Sequence, residues 1–210
     1  MNLALPMMTL LVVALSACSG ERADDELVAD APADQPVDDV PPATAPNLAV
    51  PPPAAPAAVS GTISYVGFGP ASFGANVEAV RSAWGKELKA DAPSEPGGCY
   101  YLFPQPRPQG SYGIGFMIEG DKFSRIDVDS ADIVAPGGGR IGVTADVIRK
   151  LYAGRIEEQN HKYVDGGKYL RIKDSAGGNG VLVFATDAAG TVTEWRIGVP
   201  PQVDYVEGCS

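Results

Sequence analysis

"FGANVEAVRSAWG", residues 73–85, returns in outline as "IGVTADVIRKLYAG", residues 141–154, at a constant offset of 68. Phe73 stands where Ile141 stands, Gly74 where Gly142 stands, and Asn76 where Thr144 stands. Glu78 matches Asp146, Val80 matches Ile148, Arg81 matches Arg149, and Trp84 matches Tyr152. Each correspondence has a role in a short helix. Asn76 and Thr144 carry side-chain oxygens suited to capping the first amides, and Glu78 and Asp146 place an anion in the first turn, where the helix dipole favours it. Val77, Val80 and Trp84 share one face, as do Val147, Ile148, Leu151 and Tyr152. Gly85 and Gly154 stand where each helix is expected to end.

The match continues downstream. "RIEEQNHKY" (155–163), a turn at Asp165-Gly166, "KYLRIKD" (168–174), "VLVFATD" (181–187) and "TVTEWRIG" (191–198) read as four strands. In the first half "CYYLF" (99–103), "YGIGFMIEGD" (112–121) and "KFSRIDVD" (122–129) fall in corresponding places, with Phe116 opposite Phe184 at the same offset. The expected fold is α+β: two tandem helix-plus-antiparallel-meander repeats, residues 61–135 and residues 136–210, the second ending in a C-terminal tail.

Strand alternation assigns faces. Leu102, Ile114, Phe116, Ile126, Leu170, Ile172, Leu182, Phe184 and Trp195 are expected against the helices. The opposite face carries Tyr101, Phe103, Met117, Arg125, Tyr169, Arg171, Val183, Glu194 and Arg196. Its mixture of aromatics and arginines has the composition of a protein-binding surface. Tyr101, Phe103, Arg125, Tyr169, Arg171 and Arg196 are the candidate contact residues. The competing reading is that the sheet halves or the tail cover part of this face.

Outside the folded part the sequence changes regime. Residues 1–17 read as a lipoprotein signal peptide: an apolar run from Leu3 to Leu15, too short for a confident membrane span, ends in Leu15-Ser16-Ala17-Cys18. That ending resembles a bacterial lipobox, and Cys18 is the expected lipid attachment site, palmitate among its acyl chains. Alternatives are a plain secretory signal or a retained anchor helix. Acylation at Cys18 would hold the chain at the membrane, and Ser19 after it resembles the sorting habit of outer-membrane lipoproteins. Residues 18–60 read as an acidic, then Pro/Ala-rich tether with no aromatic residue, disordered or semi-extended at roughly 3 Å per residue. Eight acids against one base give residues 19–60 a charge of −7 of the chain's −10, leaving −3 for the rest. No basic footprint for nucleic acid remains. Cys99 and Cys209 are the two other cysteines. In an exported chain they most simply form one disulfide, which would pin the tail to the first half of the domain. The rival reading, a reactive thiol pair, lacks the usual CxxC spacing.

The "FG-x-N-x-x-x-V" and "IG-x-T-x-x-x-I" openings, each helix closed by glycine, resemble the small helix-plus-meander unit of the SmpA/OmlA (BamE-type) outer-membrane lipoproteins. Two units in tandem over residues 69–198 are similar to the arrangement of the β-lactamase inhibitory proteins, whose concave sheet grips an enzyme. The resemblance implies a periplasmic or surface-facing binding protein of the outer membrane.

Candidate chemistry is sparse. "GGGRIG" (137–142) satisfies G-x-G-x-x-G, but an antiparallel meander follows where a βαβ unit is needed, so no dinucleotide cofactor is expected. "DVDSAD" (127–132) gathers carboxylates, yet Asp132 and Gly138 occupy the positions where an EF-hand loop requires glycine and glutamate. His161 is the sole histidine, which excludes zinc sites built from several histidines, and no G-x-S-x-G accompanies it. His161, Lys162, Lys168, Arg171 and Lys173 with Tyr163 and Tyr169 form a basic hairpin suited either to an anionic partner or simply to solvent. No catalytic residue, metal ligand or cofactor is assigned. The expected function is a lipid-anchored envelope protein that binds another protein, inhibiting or neutralising an extracytoplasmic enzyme. The alternatives are an outer-membrane assembly factor and a hydrolase.

Overall fold

Asn76 caps the first helix as its chemistry requires, its side-chain oxygen accepting from the Ala79 amide at 3.0 Å. Residues 61–93 and 95–209 are described by a computed structural model and belong to one compact unit. The expectations for the signal peptide, for Cys18 and for the tether lie outside the described residues.

Three two-residue strands come first: β1 (Ile63–Ser64), β2 (Gly67–Phe68) and β3 (Ala71–Ser72) form a small antiparallel sheet. Helix α1 (Val77–Trp84) leads into β4 (Leu88–Ala90), β5 (Tyr100–Pro104), β6 (Ile114–Glu119) and β7 (Lys122–Val128). Helix α2 (Ala145–Leu151) leads into β8 (Ile156–Asn160), β9 (Lys168–Lys173), β10 (Val181–Thr186) and β11 (Val192–Gly198). A single 3-10 turn, Gln202–Asp204, follows.

The expected architecture of two tandem helix-plus-meander repeats does not hold. The eight longer strands form one antiparallel sheet in the order β4-β5-β6-β7-β11-β10-β9-β8, and the α-helices have only eight and seven residues. The reason lies in the ladder at the middle. β7 pairs with β11, Ile126 opposite Ile197 and Val128 opposite Trp195, so backbone bonds run unbroken across the molecule. A single core cluster joins Val80, Leu102, Phe116 and Ile126 to Ile148, Tyr152, Leu182, Phe184 and Trp195. Neither half closes a core alone.

Both helices lie on the inner face of this sheet. Gly85 ends α1 in the left-handed conformation (φ 72°), its amide donating to the Arg81 carbonyl. The second helix departs from the expectation at both ends. Thr144 makes no side-chain cap; the Ala145 amide instead donates to the Gly190 carbonyl at 2.8 Å, and Thr144 bridges to Thr191. Tyr152, not Gly154, is the C-cap residue. Ile148 and Tyr152 are buried against the sheet, while Val147 and Leu151 are 40% and 43% exposed. At 3.6 residues per turn these are adjacent stripes, and the short helix can bury only one against a flat surface.

All nine residues expected on the inner face are buried there. Two bulges add more. Met117 pairs with Arg125 and Ile118 with Phe123, leaving Ser124 as an extra residue, so Phe123 and Ile126 both turn inward. Thr193 plays the same part in β11, where Val192 and Trp195 both face the core. The expected Asp165-Gly166 turn forms, closed by the Gly167 amide donating to the Val164 carbonyl at 3.0 Å, but the strand before it is shorter than expected. β8 stops at Asn160, and residues 161–167 form a longer loop in which the His161 Nδ1 accepts from the Tyr163 and Val164 amides, each at 3.1 Å.

Candidate functional site

The outer face of the sheet is partly covered. After β11 the chain turns back, and Val203 in the 3-10 turn is fully buried against Tyr169, Val181, Val183 and Ala185, with Val206 beside it. Cys209 ends the crossing in a disulfide with Cys99, just before β5, with Cα atoms 5.2 Å apart. The tail therefore lies across the face that carries the candidate contact residues.

Three arginines hold it there. Arg125, 3% exposed, donates from Nη1 to the carbonyls of Gln202 at 2.8 Å and Tyr205 at 2.7 Å. Its Nε and Nη2 donate to Asp127 at 2.8 and 2.7 Å, and Nη2 also reaches the Tyr101 hydroxyl at 2.9 Å. Arg196 donates from Nε to the Val203 carbonyl at 2.7 Å. Arg171 pairs with Asp204 at 3.0 Å and with Glu157 at 3.8 Å. Each long side chain lies on the sheet and ends in a polar group of the tail, which is how a charged residue survives burial. Burial opposes the charge on Arg125, but the Asp127 carboxylate more than offsets it, so its pKa ends above the ordinary arginine value. Arg196 shifts the other way, because burial and then repulsion from Arg125 outweigh its carboxylate neighbours.

Of the six candidate contact residues, Arg125, Arg196, Tyr169 and Phe103 are buried, and Tyr101 and Arg171 are half-buried. Tyr169 stacks on His161, with ring centroids 4.4 Å apart, and lies under Arg196. Tyr101 and Phe103 stack at 5.4 Å, and Tyr112 continues the row at 5.8 Å from Phe103. Phe103 lies flat over Gly115, where an added Cβ would stand 2.7 Å from the ring. Between this row and the tail is a cleft of about 250 Å³, lined by Tyr101, Phe103, Tyr112, Asp127, Glu194 and Glu207 among others. A second hollow, about 450 Å³, lies on the far side of the tail, with Glu157, Tyr169, Arg171 and Asp204 in its lining.

Burial raises the pKa of Tyr112, and the carboxylates of Asp127, Glu194 and Asp129 raise it further. Tyr101 is raised by burial and by Asp127, with Arg125 opposing. Sequence reasoning missed Tyr112 as a site residue. Its parity with Ile114 would place it inside, but Gly113 adopts the left-handed conformation (φ 71°) between them, and the ring lines the outer cleft.

The remaining sequence candidates resolve into structural roles. Gly139 passes so close to Phe184 that a Cβ would stand 2.3 Å from the ring, and the Gly139 amide donates to the Tyr152 hydroxyl at 3.1 Å. Asp127 is taken by Arg125, and Asp129 accepts from the Ser111 hydroxyl and the Tyr112 and Gly113 amides. Lys162 pairs with Glu207 at 3.0 Å, and Lys168 donates to Asn160. Among the described residues no group of three His, Cys, Asp or Glu could hold a metal ion, and no helix is long and apolar enough to cross a membrane.

Fold and face together define a disulfide-closed, antiparallel-sheet protein that wears its own C-terminus across one side. No protein-family model matches the chain, and no curated protein matches it. Partial likenesses to solved structures exist. An extracellular protein containing an SCP domain from Bacillus anthracis is 12% identical, with a TM-score of 0.41 over 60% of this chain and 44% of that one. The uncharacterized protein yfeY from Escherichia coli is 15% identical, with a TM-score of 0.40 over 67% and 97%. A DUF4309 family protein (YjgB) from Bacillus subtilis is 18% identical, with a TM-score of 0.38 over 60% and 78%. The chain spans less than half the length of the first of these. None of these TM-scores supports an inference about activity.

Proposed function

We propose that this chain is an exported, lipid-anchored envelope protein that binds another protein through the outer face of its sheet, and by doing so inhibits or neutralises an extracytoplasmic enzyme. The observation that carries this reading is the aromatic cleft between Tyr112 and the tail. Stacked aromatic rings beside arginines, fixed in place before any partner arrives, are what interface anchors are made of, because little side-chain entropy is lost on docking. The Cys99–Cys209 bridge fits an oxidising compartment. The lipobox-like ending at Cys18 supplies the membrane anchor, and tethering to an outer membrane would raise the local concentration of the domain near its target.

The test is site-specific photo-crosslinking in the native envelope. A photoreactive phenylalanine analogue replacing Tyr112 is expected to give one discrete protein adduct, whose identity separates an enzyme target from membrane assembly machinery. The same analogue replacing Leu151, exposed on the helical side, is expected to give none. A Tyr112 variant that folds, closes its disulfide and yields no adduct refutes the reading.

A further inference from the structure

We infer that the cleft beside Tyr112 receives a single cationic side chain, a lysine or arginine of the partner protein; this rests on the protein-binding reading above. A volume of about 250 Å³ admits one long side chain and no folded segment. Its wall is a row of three rings, Tyr101 on Phe103 on Tyr112. Ring faces attract cations through their quadrupole, and more strongly where water is excluded.

The carboxylates in the lining are Asp127, Glu194 and Glu207, against the cations Arg125 and Arg196. Both arginines are buried, at 3% and 5% exposure: the donors of Arg125 go to the tail, to Asp127 and to Tyr101, and the Nε of Arg196 goes to the Val203 carbonyl. Glu194 stands at the rim instead. Its side chain is 46% exposed, and its ion pair with Arg196 is long, at 3.9 Å. Burial, and then the carboxylates of Asp127, Glu194 and Asp129, raise the pKa of the Tyr112 phenol, so the ring is that of a neutral phenol. A cation entering there would meet the Tyr112 ring and the Glu194 carboxylate together.

The protein already uses this pairing beside the cleft. The Arg107 guanidinium sits 3.8 Å above the Phe103 ring and reaches Asp91 at 3.5 Å. One member of the aromatic row is therefore occupied by a guanidinium backed by a carboxylate. Tyr112 with Glu194 offers the same combination at the cleft.

The experiment is a titration of the full, oxidised chain with N-acetyl-arginine methylamide and N-acetyl-lysine methylamide, followed by amide NMR shifts. Neutral N-acetyl-norleucine methylamide and N-acetylglucosamine serve as comparisons. The cationic probes are expected to shift the amides of Gly113 and Gly208 saturably, and to bind at least about ten-fold more tightly than norleucine. Glu194→Gln and Tyr112→Leu should each weaken them about five-fold or more, while Tyr112→Phe and Glu157→Gln, the latter in the other hollow, leave binding within about two-fold. Equal binding of norleucine, preferential binding of the sugar, or no effect of Glu194→Gln overturns the inference. If photo-crosslinking at residue 112 traps a protein but the cationic probes do not bind, this inference falls and the binding reading stands. If the probes bind but no protein is trapped, the binding reading falls and takes the partner named here with it.

Discussion

Replacing Arg125 with methionine should unfold the tail side of this protein from within. The side chain is 3% exposed and serves Asp127, the carbonyls of Gln202 and Tyr205, and the Tyr101 hydroxyl. Methionine fills similar space but leaves the Asp127 carboxylate buried without its cation and removes a donor from two carbonyls, of which that of Gln202 keeps only the Tyr205 amide at 3.2 Å. Breaking one partner of a buried pair costs about 3–5 kcal/mol. Relief of the repulsion between Arg125 and Arg196 subtracts from that, so the expected loss is about 3 kcal/mol. That is a large part of the 5–15 kcal/mol typical of a domain. The double variant Arg125→Met/Asp127→Leu removes both charges and should recover about half the loss, the remainder being the lost hydrogen bonds to the tail carbonyls at about 1–2 kcal/mol. Urea unfolding of the oxidised protein, followed by tryptophan fluorescence, measures all three species. If Arg125 were an exposed contact residue, its removal would cost no more than about 0.5 kcal/mol. A single variant within about 1 kcal/mol of wild type, or a double no better than the single, refutes the reasoning.

The disulfide closes a span of 110 residues, for which the chain-entropy treatment gives about 5 kcal/mol. Because the arginines still pin the tail, Cys99→Ser/Cys209→Ser should lose about 2–4 kcal/mol, read as a lower urea midpoint. The two helix entries should respond unequally to alanine: Asn76→Ala costs about 1 kcal/mol in thermal unfolding, and Thr144→Ala, with no cap bond to lose, only a few tenths. Alkaline pH supplies another test. Burial pushes the Tyr152 phenol up to about 12, against an unfolded value of 10.0. The folded state thus holds that proton more tightly, so stability is intact below pH 10 and is lost between about pH 10 and 12. Absorbance at 295 nm should show a late, steep tyrosinate step that coincides with loss of near-ultraviolet dichroism. A gradual titration centred near pH 10 in still-folded protein would contradict this.

What the sequence discloses here follows from which forces are local. Capping chemistry located α1, apolar spacing located α2, whose Thr144 makes no cap bond, and alternation located the nine inner residues from Leu102 to Trp195, because those signals span only a few positions. The single sheet was not legible, since the β7–β11 ladder joins residues about seventy apart and no local pattern marks it. The bulges at Ser124 and Thr193 were hidden for a related reason: one extra residue reverses the parity of everything beyond it. Tyr112 was missed through the same parity error, introduced by Gly113. Arg125, Arg171 and Arg196 were placed on the correct face, and the tail was already weighed as a cover for it, but the groups they meet there were not legible. Their partners are mainly backbone carbonyls and a carboxylate of the tail, and composition carries no trace of which carbonyls will pass nearby.

The β7–β11 ladder also sets a timetable. Residues 122–128 leave the ribosome long before residues 192–198, so the inner edge of β7 spends the interval with unpaired amides and a strongly apolar face. Until the last strand arrives, that edge can accept any extended segment, including the same strand of a second nascent chain. A chain wired this way gains from being kept unfolded until its synthesis is complete, and its slowest folding step should be the docking of the C-terminal strand into the centre of the sheet.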